Sequence, residues 1–250
     1  MDDLSLSESQ CGGGVLYSPS FEGQIRLPIL LLCHGVGGHH GNLSLLARSL
    51  HLEGIVRVRM VDLPGHGRSS TQLLELRQID EALAVALTRC ASEAELVFAL
   101  TVSAGAWFFS RLPRRSLSGL FLVNPITLAD LRQPKGPPSD EVDVRRQLLS
   151  RFFSASAVAR MDADPVGRPR LRVGVARELI RRSGTRIQAT DNIITILTRN
   201  DPLRSLHVSV SQETVYLDGD SHGLSDADIV AQVKDTVRRK LDDQHPHSTS

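Results

Sequence analysis

Cysteine is scarce. The 250 residues hold three, Cys11, Cys33 and Cys90, an odd number with no metal-ligand spacing among them. That pattern excludes a disulfide framework and a thiolate metal site. Cys33, inside an apolar run, reads as a small buried hydrophobe. Net charge is nearly absent as well: 29 basic and 28 acidic residues leave +1. A chain so balanced is not built as a whole to bind a polyanion, so no nucleic-acid partner is expected. No apolar run approaches the roughly 18 residues of a transmembrane helix, so no membrane span is expected. The first residues, Met1-Asp2-Asp3-Leu4-Ser5, lack the basic-then-apolar order of a secretory signal. Together these absences lead us to expect a cytoplasmic protein.

What remains is ordinary for one globular domain, with 41% hydrophobic and 23% charged residues. Residues 1–14 are polar and glycine-rich and are expected to be disordered, as is the tail at 243–250. Val15 to Ile25 holds a short first strand. Apolar runs at Pro28 to Cys33, Ile55 to Asp62, Glu95 to Leu100, Leu117 to Val123 and Ile193 to Thr198 read as buried strands. Helical patterns lie between them, at Leu43 to Leu52, Thr71 to Ala91 and Asp226 to Leu241. This alternation predicts an α/β fold, a mainly parallel sheet flanked by helices. The core would comprise 15–125 and 187–242. Residues 126–186 break the rhythm. They contain the loop signal Pro134-Lys135-Gly136-Pro137-Pro138, then helical stretches at Glu141 to Phe153 and Val173 to Arg182. This segment carries twelve arginines and one lysine against seven acids, a net of +6.

The most informative stretch is Leu100-Thr101-Val102-Ser103-Ala104-Gly105. A serine flanked by small residues, between a strand and the pattern Ala106 to Leu112, has the layout of a nucleophile elbow. Thr101 stands where G-x-S-x-G has its first glycine. Trp107, Phe108 and Phe109 read as core. Upstream lies His34-Gly35-Val36-Gly37-Gly38, then Asp62-Leu63-Pro64-Gly65-His66-Gly67-Arg68-Ser69. Downstream lie Arg199-Asn200-Asp201 and Asp218-Gly219-Asp220-Ser221-His222-Gly223. In that order the motifs resemble the α/β-hydrolase superfamily, from about Leu27 to Arg239.

The resemblance implies a Ser-His-acid arrangement. A serine hydroxyl needs a base, and the base needs an orienting acid. Of nine histidines, His222 alone stands in a glycine-flanked loop after the last strand, and it is the expected base. His34 and His66 read as loop braces, and His207 as a residue on a helix. Asp201 is the expected acid, with Asp130 an alternative used in some relatives. Asp218 and Asp220 sit too close to His222 along the chain, and Asp191 lies at the wrong end of its strand. The oxyanion hole would use the amides of Val36 and Ala104, with His34, Gly35, Gly37 and Gly38 forming the loop beside the substrate. Residues 126–186 would be a helical lid.

The implied activity is hydrolysis of an ester or thioester through an acyl-enzyme, without a cofactor. Thr-Val-Ser, Val-Asn-Pro, Thr-Arg-Asn-Asp and Asp-Ser-His are similar to the acyl-protein thioesterases of bacterial luminescence systems, which also lack the first glycine of the elbow, and this favours a thioesterase. The basic lid would then meet a substrate carried on coenzyme A or an acyl carrier protein, through exposed arginines such as Arg145, Arg146, Arg181 and Arg182. A carboxylesterase, an acyltransferase, a lyase and a non-catalytic binding protein stand as alternatives.

Overall fold

The apolar runs fold into strands that are buried on both faces, as a parallel sheet covered by two helical layers requires. The computed structural model describes residues 5–19, 27–109, 112, 117–129, 131–143, 159, 163–164, 166, 170–185, 192–208, 211, 213–224 and 226–244. In chain order the elements are β1 (Leu6–Cys11), β2 (Gly14–Pro19), β3 (Ile29–Cys33), α1 (Ser44–Leu52), β4 (Arg57–Asp62), α2 (Arg77–Glu93), β5 (Val97–Val102) and β6 (Gly119–Val123). They continue with β7 (Glu141–Asp143), β8 (Arg170–Arg172), α3 (Val173–Ser183), β9 (Ile193–Thr198), β10 (Glu213–Leu217) and α4 (Ala227–Gln244).

The main sheet has the order β1-β2-β4-β3-β5-β6-β9-β10. It is parallel from β4 to β10 and antiparallel where β1 meets β2 and β2 meets β4. Alternation along each strand feeds both layers. In β3, Ile29, Leu31 and Cys33 face α2 and α3, while Leu30 and Leu32 face α1 and α4. Each such side chain contributes roughly 1.5–3 kcal/mol by leaving water. All the parallel strands point the same way. The loops that follow β3, β5, β6, β9 and β10 therefore gather at one edge, where ligands of open α/β sheets bind.

Two expectations are corrected. Residues 1–14 are not disordered throughout, because Leu6–Cys11 pairs with Gly14–Pro19 as a hairpin on the sheet edge. Gly12 (φ 53°) and Gly13 (φ 86°) make its two-residue turn, which needs positive φ at both positions. The glycines thus mark a turn rather than a loose tail. In the insertion, Glu141–Asp143 is a strand paired with β8 and not the start of a helix. Residues 144–153, the rest of that expected helix, lie outside the described residues, as do 154–158 and 245–250. The second expected helix is present as α3. It is no detached flap: Val175, Ala176, Leu179 and Ile180 share a core with Trp107, Phe108 and Phe109. Among the described residues, no helix is long and apolar enough to cross a membrane.

Candidate active site

Strand β5 ends at Val102, and the chain turns at once into a short 3-10 segment, Ser103–Trp107. Ser103 takes φ 60°, a left-handed conformation that costs a non-glycine residue about 1–3 kcal/mol. That strain lifts the hydroxyl out of the strand direction. Ala104 is the second residue of the turn, so its N–H has no intrahelical acceptor. The Thr101 departure has a structural answer. A Cβ on Gly105 would lie 2.3 Å from Thr101 Oγ1, so the threonine hydroxyl fills space that Gly105 leaves empty. Trp107 Nε1 donates to Ile126 O at 2.6 Å, tying the turn to the start of the insertion.

The glycine-rich loop after β3 lies against this serine. A Cβ on Gly35 would come 3.0 Å from Val102 O and 3.2 Å from Ser103 Cβ. Val36 and Gly37 are the middle of a turn closed by Gly38 N–H donating to Gly35 O (3.1 Å), with Gly37 at φ 74°, as a type II turn requires. His34 anchors the loop as a neutral ring. Burial, aided by nearby His66, lowers its imidazole to about 3. Nε2 therefore accepts from Leu63 N–H (3.2 Å) while Nδ1–H donates to Gly35 O (2.7 Å).

Asp62 braces the same loop from below. It is fully buried and accepts from Tyr17 OH (2.9 Å), His40 N–H (2.6 Å), His40 Nδ1 (2.9 Å) and Arg68 N–H (2.9 Å). Burial raises its carboxyl, but the hydrogen bonds from His40 and Arg68 outweigh it and hold Asp62 well below the usual carboxylate range. A folded value below the unfolded ~3.9 gives stability that is present above pH ~4 and lost as pH falls through the folded value. Asp62→Asn is expected to destabilise the protein by about 3 kcal/mol at pH 7. It should also flatten the loss of stability below pH ~4. Urea unfolding at several pH values measures both, and equal slopes for wild type and variant would contradict the assignment.

The loops after β9 and β10 meet beside β6. His222 Nδ1 lies 2.6 Å from Asp201 Oδ2, and Leu203 N–H donates to Asp201 Oδ1 at 2.6 Å. Burial raises the Asp201 carboxyl, while the hydrogen bonds from His207 and His222, the His222 charge and the Leu203 amide bring it down to about 2. The other ring nitrogen of His222, Nε2, is buried and has no hydrogen-bond partner among the described residues, Ser103 Oγ included. Asn124 positions this loop. Buried at φ 45°, it follows Val123, which pairs with Val102 in register. Its Nδ2 donates to His222 O (3.0 Å) and Thr198 Oγ1 (3.0 Å), while its Oδ1 accepts from Thr198 N–H (2.7 Å). The side chain that holds His222 thus stems from the end of the strand next to the one that ends in the serine.

The structure brings Asp201 and His222 into contact and sets Gly35 against Ser103. It forms no Ser103–His222 hydrogen bond. Asp218 pairs instead with Arg199 at the surface (3.1 Å). Asp130 and Asp191 lie outside the described residues. His207 was expected on a helix, but it follows a single 3-10 turn (Arg204–Leu206) in extended conformation and bridges Ile126. Its Nε2 also reaches Asp201 Oδ2, at 2.7 Å. No local pattern marks that residue, because its partner segment lies some eighty positions away. Asp201, His207 and His222 offer ligand atoms within 4.8 Å of one another, and their mutual hydrogen bonds already account for that closeness.

The basic insertion is also corrected. Arg182 is buried, not exposed, and forks onto Asp80 (2.7 and 3.0 Å). Arg177 donates to Pro134 O and Gly136 O, and Arg172 to Gln72 Oε1. Arg181 is exposed, and Arg145 and Arg146 lie outside the described residues.

A family model described as alpha/beta hydrolase family matches residues 30–244. Curated proteins give no match to the sequence. Several solved structures share its fold. A soluble variant of monoglyceride lipase from Saccharomyces cerevisiae is 16% identical, with 97% of this chain and 96% of that one covered and a TM-score of 0.71. A highly thermostable carboxyl esterase from Bacillus coagulans is 14% identical over 97% and 99%, with a TM-score of 0.71. An epoxide hydrolase from Vigna radiata is 12% identical over 97% and 99%, with a TM-score of 0.63.

Proposed function

This chain belongs to the α/β-hydrolase family and is a hydrolase, and we propose that Ser103 is its nucleophile, with His222 as base and Asp201 as orienting acid, cleaving a carboxylic ester or thioester. The observation that carries this reading is the state of His222. One ring nitrogen is fixed on a buried carboxylate, and the other is buried with no hydrogen-bond partner among the described residues. An unpartnered buried nitrogen is costly, and a base awaiting its substrate gives it a use.

Asp201 holds His222 as the Nδ1–H tautomer, leaving the Nε2 lone pair free to take the Ser103 proton. The serine oxygen then attacks the acyl carbon, and the carbonyl electrons move onto oxygen. The N–H groups of Val36 and Ala104 are the donors for that oxyanion. As the intermediate collapses, the His222 imidazolium gives its proton to the departing alkoxide or thiolate. Water repeats the sequence on the acyl-enzyme, releasing the acid and restoring the serine. Residues 126–186 serve as the lid.

Within this class we favour an oxygen ester over a carrier-bound thioester. The thioester reading rests on motif similarity, and its carrier-bound form leaned on a basic lid, where Arg172, Arg177 and Arg182 are occupied with Gln72, local carbonyls and Asp80. The structurally similar lipase and carboxyl esterase are named for ester substrates. A fluorophosphonate probe followed by peptide mapping is the direct test. Wild type should gain one adduct, on Ser103, and Ser103→Ala none. Labelling elsewhere, or no labelling, would remove the assignment. Intact mass after exposure to a panel of acyl esters and thioesters would then show which acyl group is retained.

A further inference from the structure

The Asp201 carboxylate carries two imidazoles on one oxygen. His222 Nδ1 lies 2.6 Å from Oδ2 and His207 Nε2 2.7 Å from the same atom. The two rings stack with centroids 6.4 Å apart and an interplanar angle of 27°. A serine–histidine–acid unit needs one of them. His207 shares the loop after β9 with Asp201 and is also fastened to the chain that follows β6. Its N–H donates to Arg204 O, Val208 N–H donates to Pro125 O at 2.9 Å, and Thr127 N–H donates to Leu206 O at 2.8 Å. A backbone bridge to Ile126 completes the fastening. The ring therefore reaches Asp201 from a stretch of the post-β9 loop that is bridged to the start of the insertion.

We propose that His207 is a positioning residue for the reaction: its Nε2–H, fixed by the Ile126 bridge, orients the Asp201 carboxylate and draws part of its charge away from His222. The inference rests on the triad reading above. Two physical consequences follow. With one lobe of Oδ2 occupied by His207 and Oδ1 tied to Leu203 N–H, the carboxylate cannot swing, so the Nδ1–H of His222 meets a fixed acceptor. A second donor on Oδ2 also lowers the negative charge felt by His222, so the imidazolium is favoured less strongly than by a carboxylate with one partner. Of the titratable groups that face the His207 ring, Asp201 is hydrogen-bonded to it and His222 stacks beside it. Arg204, on its own turn, points to solvent.

The test compares three substitutions at 207 with Ser103→Ala and His222→Ala in the full chain, on a neutral short-chain ester. Gln can place its Nε2 donor where the histidine has it, Asn cannot reach, and Phe keeps the ring shape without a donor. His207→Phe and His207→Asn are expected to lower kcat about tenfold with KM within about twofold. The acid limb of kcat/KM should move to higher pH by roughly 0.5–1 unit. His207→Gln should restore both to near wild type. Should Phe not fold, as judged by circular dichroism, the Gln–Asn contrast carries the same information. Equal losses in Gln and Asn with an unmoved acid limb would make His207 a packing residue only and overturn the proposal. Full activity in Asn or Phe while Ser103→Ala is inactive would overturn it with the triad intact. Activity retained by Ser103→Ala and His222→Ala would bring down the triad reading, and this inference with it.

Discussion

Ser103→Ala and His222→Ala are each expected to lower kcat by roughly 10⁴-fold or more, and the double variant to lose little beyond either one. The reason is mechanistic unity. The alanine at 103 has no oxygen to form the acyl-enzyme, and once that step is gone the base has nothing to deprotonate. The alanine at 222 leaves a hydroxyl that stays protonated at neutral pH. Asp201→Asn should fall into the same group, since an amide can present an N–H to Nδ1 and favour the wrong tautomer. KM should change little in all of them, because Gly35, Val36 and the rest of the substrate loop are untouched. The fold should survive, because Ser103 and His222 are partly exposed and lie outside the two large apolar clusters. Initial rates over a range of substrate concentrations decide the matter. Losses that multiply in the double variant would show that the two residues do not serve one step.

Gly105→Ala should be the most damaging small substitution near the site. The new methyl would lie 2.3 Å from Thr101 Oγ1 and 2.9 Å from His34 O. Neither neighbour yields easily. Thr101 sits in β5, paired with Cys33 of β3, and His34 is pinned at both ring nitrogens. Overpacking of this kind costs typically 1–3 kcal/mol. It would also push the elbow and Ser103 away from the Gly35 loop, where a displacement near 1 Å can cost about 10²-fold in rate. Thr101→Ala removes the closer of the two clashes. The pair Thr101→Ala/Gly105→Ala should therefore recover more than half of the lost stability, a coupling that residues in contact can show. Thermal unfolding of the two single variants and the pair tests this. Strict additivity would show that the threonine hydroxyl does not occupy the space opposite Gly105.

Much of the fold was legible because its signals are local. Buried parallel strands need uninterrupted apolar runs, and the runs read at Pro28 to Cys33, Glu95 to Leu100 and Ile193 to Thr198 overlap the strands Ile29–Cys33, Val97–Val102 and Ile193–Thr198. A serine between such a strand and small residues specifies a tight turn, and the chain forms one with Ser103 at φ 60°. Asp201 stands at the end of its strand, Asp191 at the wrong end, and Asp218 and Asp220 too close to His222 along the chain, and Asp201 is the carboxylate that meets His222. The failures share a different character. Gly12 and Gly13 read as disorder until β2 found β4 to pair with, because a hairpin turn is stable only when its strands have a sheet to join. Arg182 read as an exposed cation until α3 laid it against Asp80 of α2, since the exposure of a charge depends on what arrives opposite it. His207 reaches Asp201 through a bridge to Ile126, and Asn124 grips a loop almost a hundred residues ahead. The sequence by itself determined the class of fold, the order of the strands' apolar runs and the three side chains proposed for the chemistry. Only the tertiary structure decided which distant groups share one carboxylate, because periodicity and turn signals report a residue's own segment and carry nothing about the segment that packs against it.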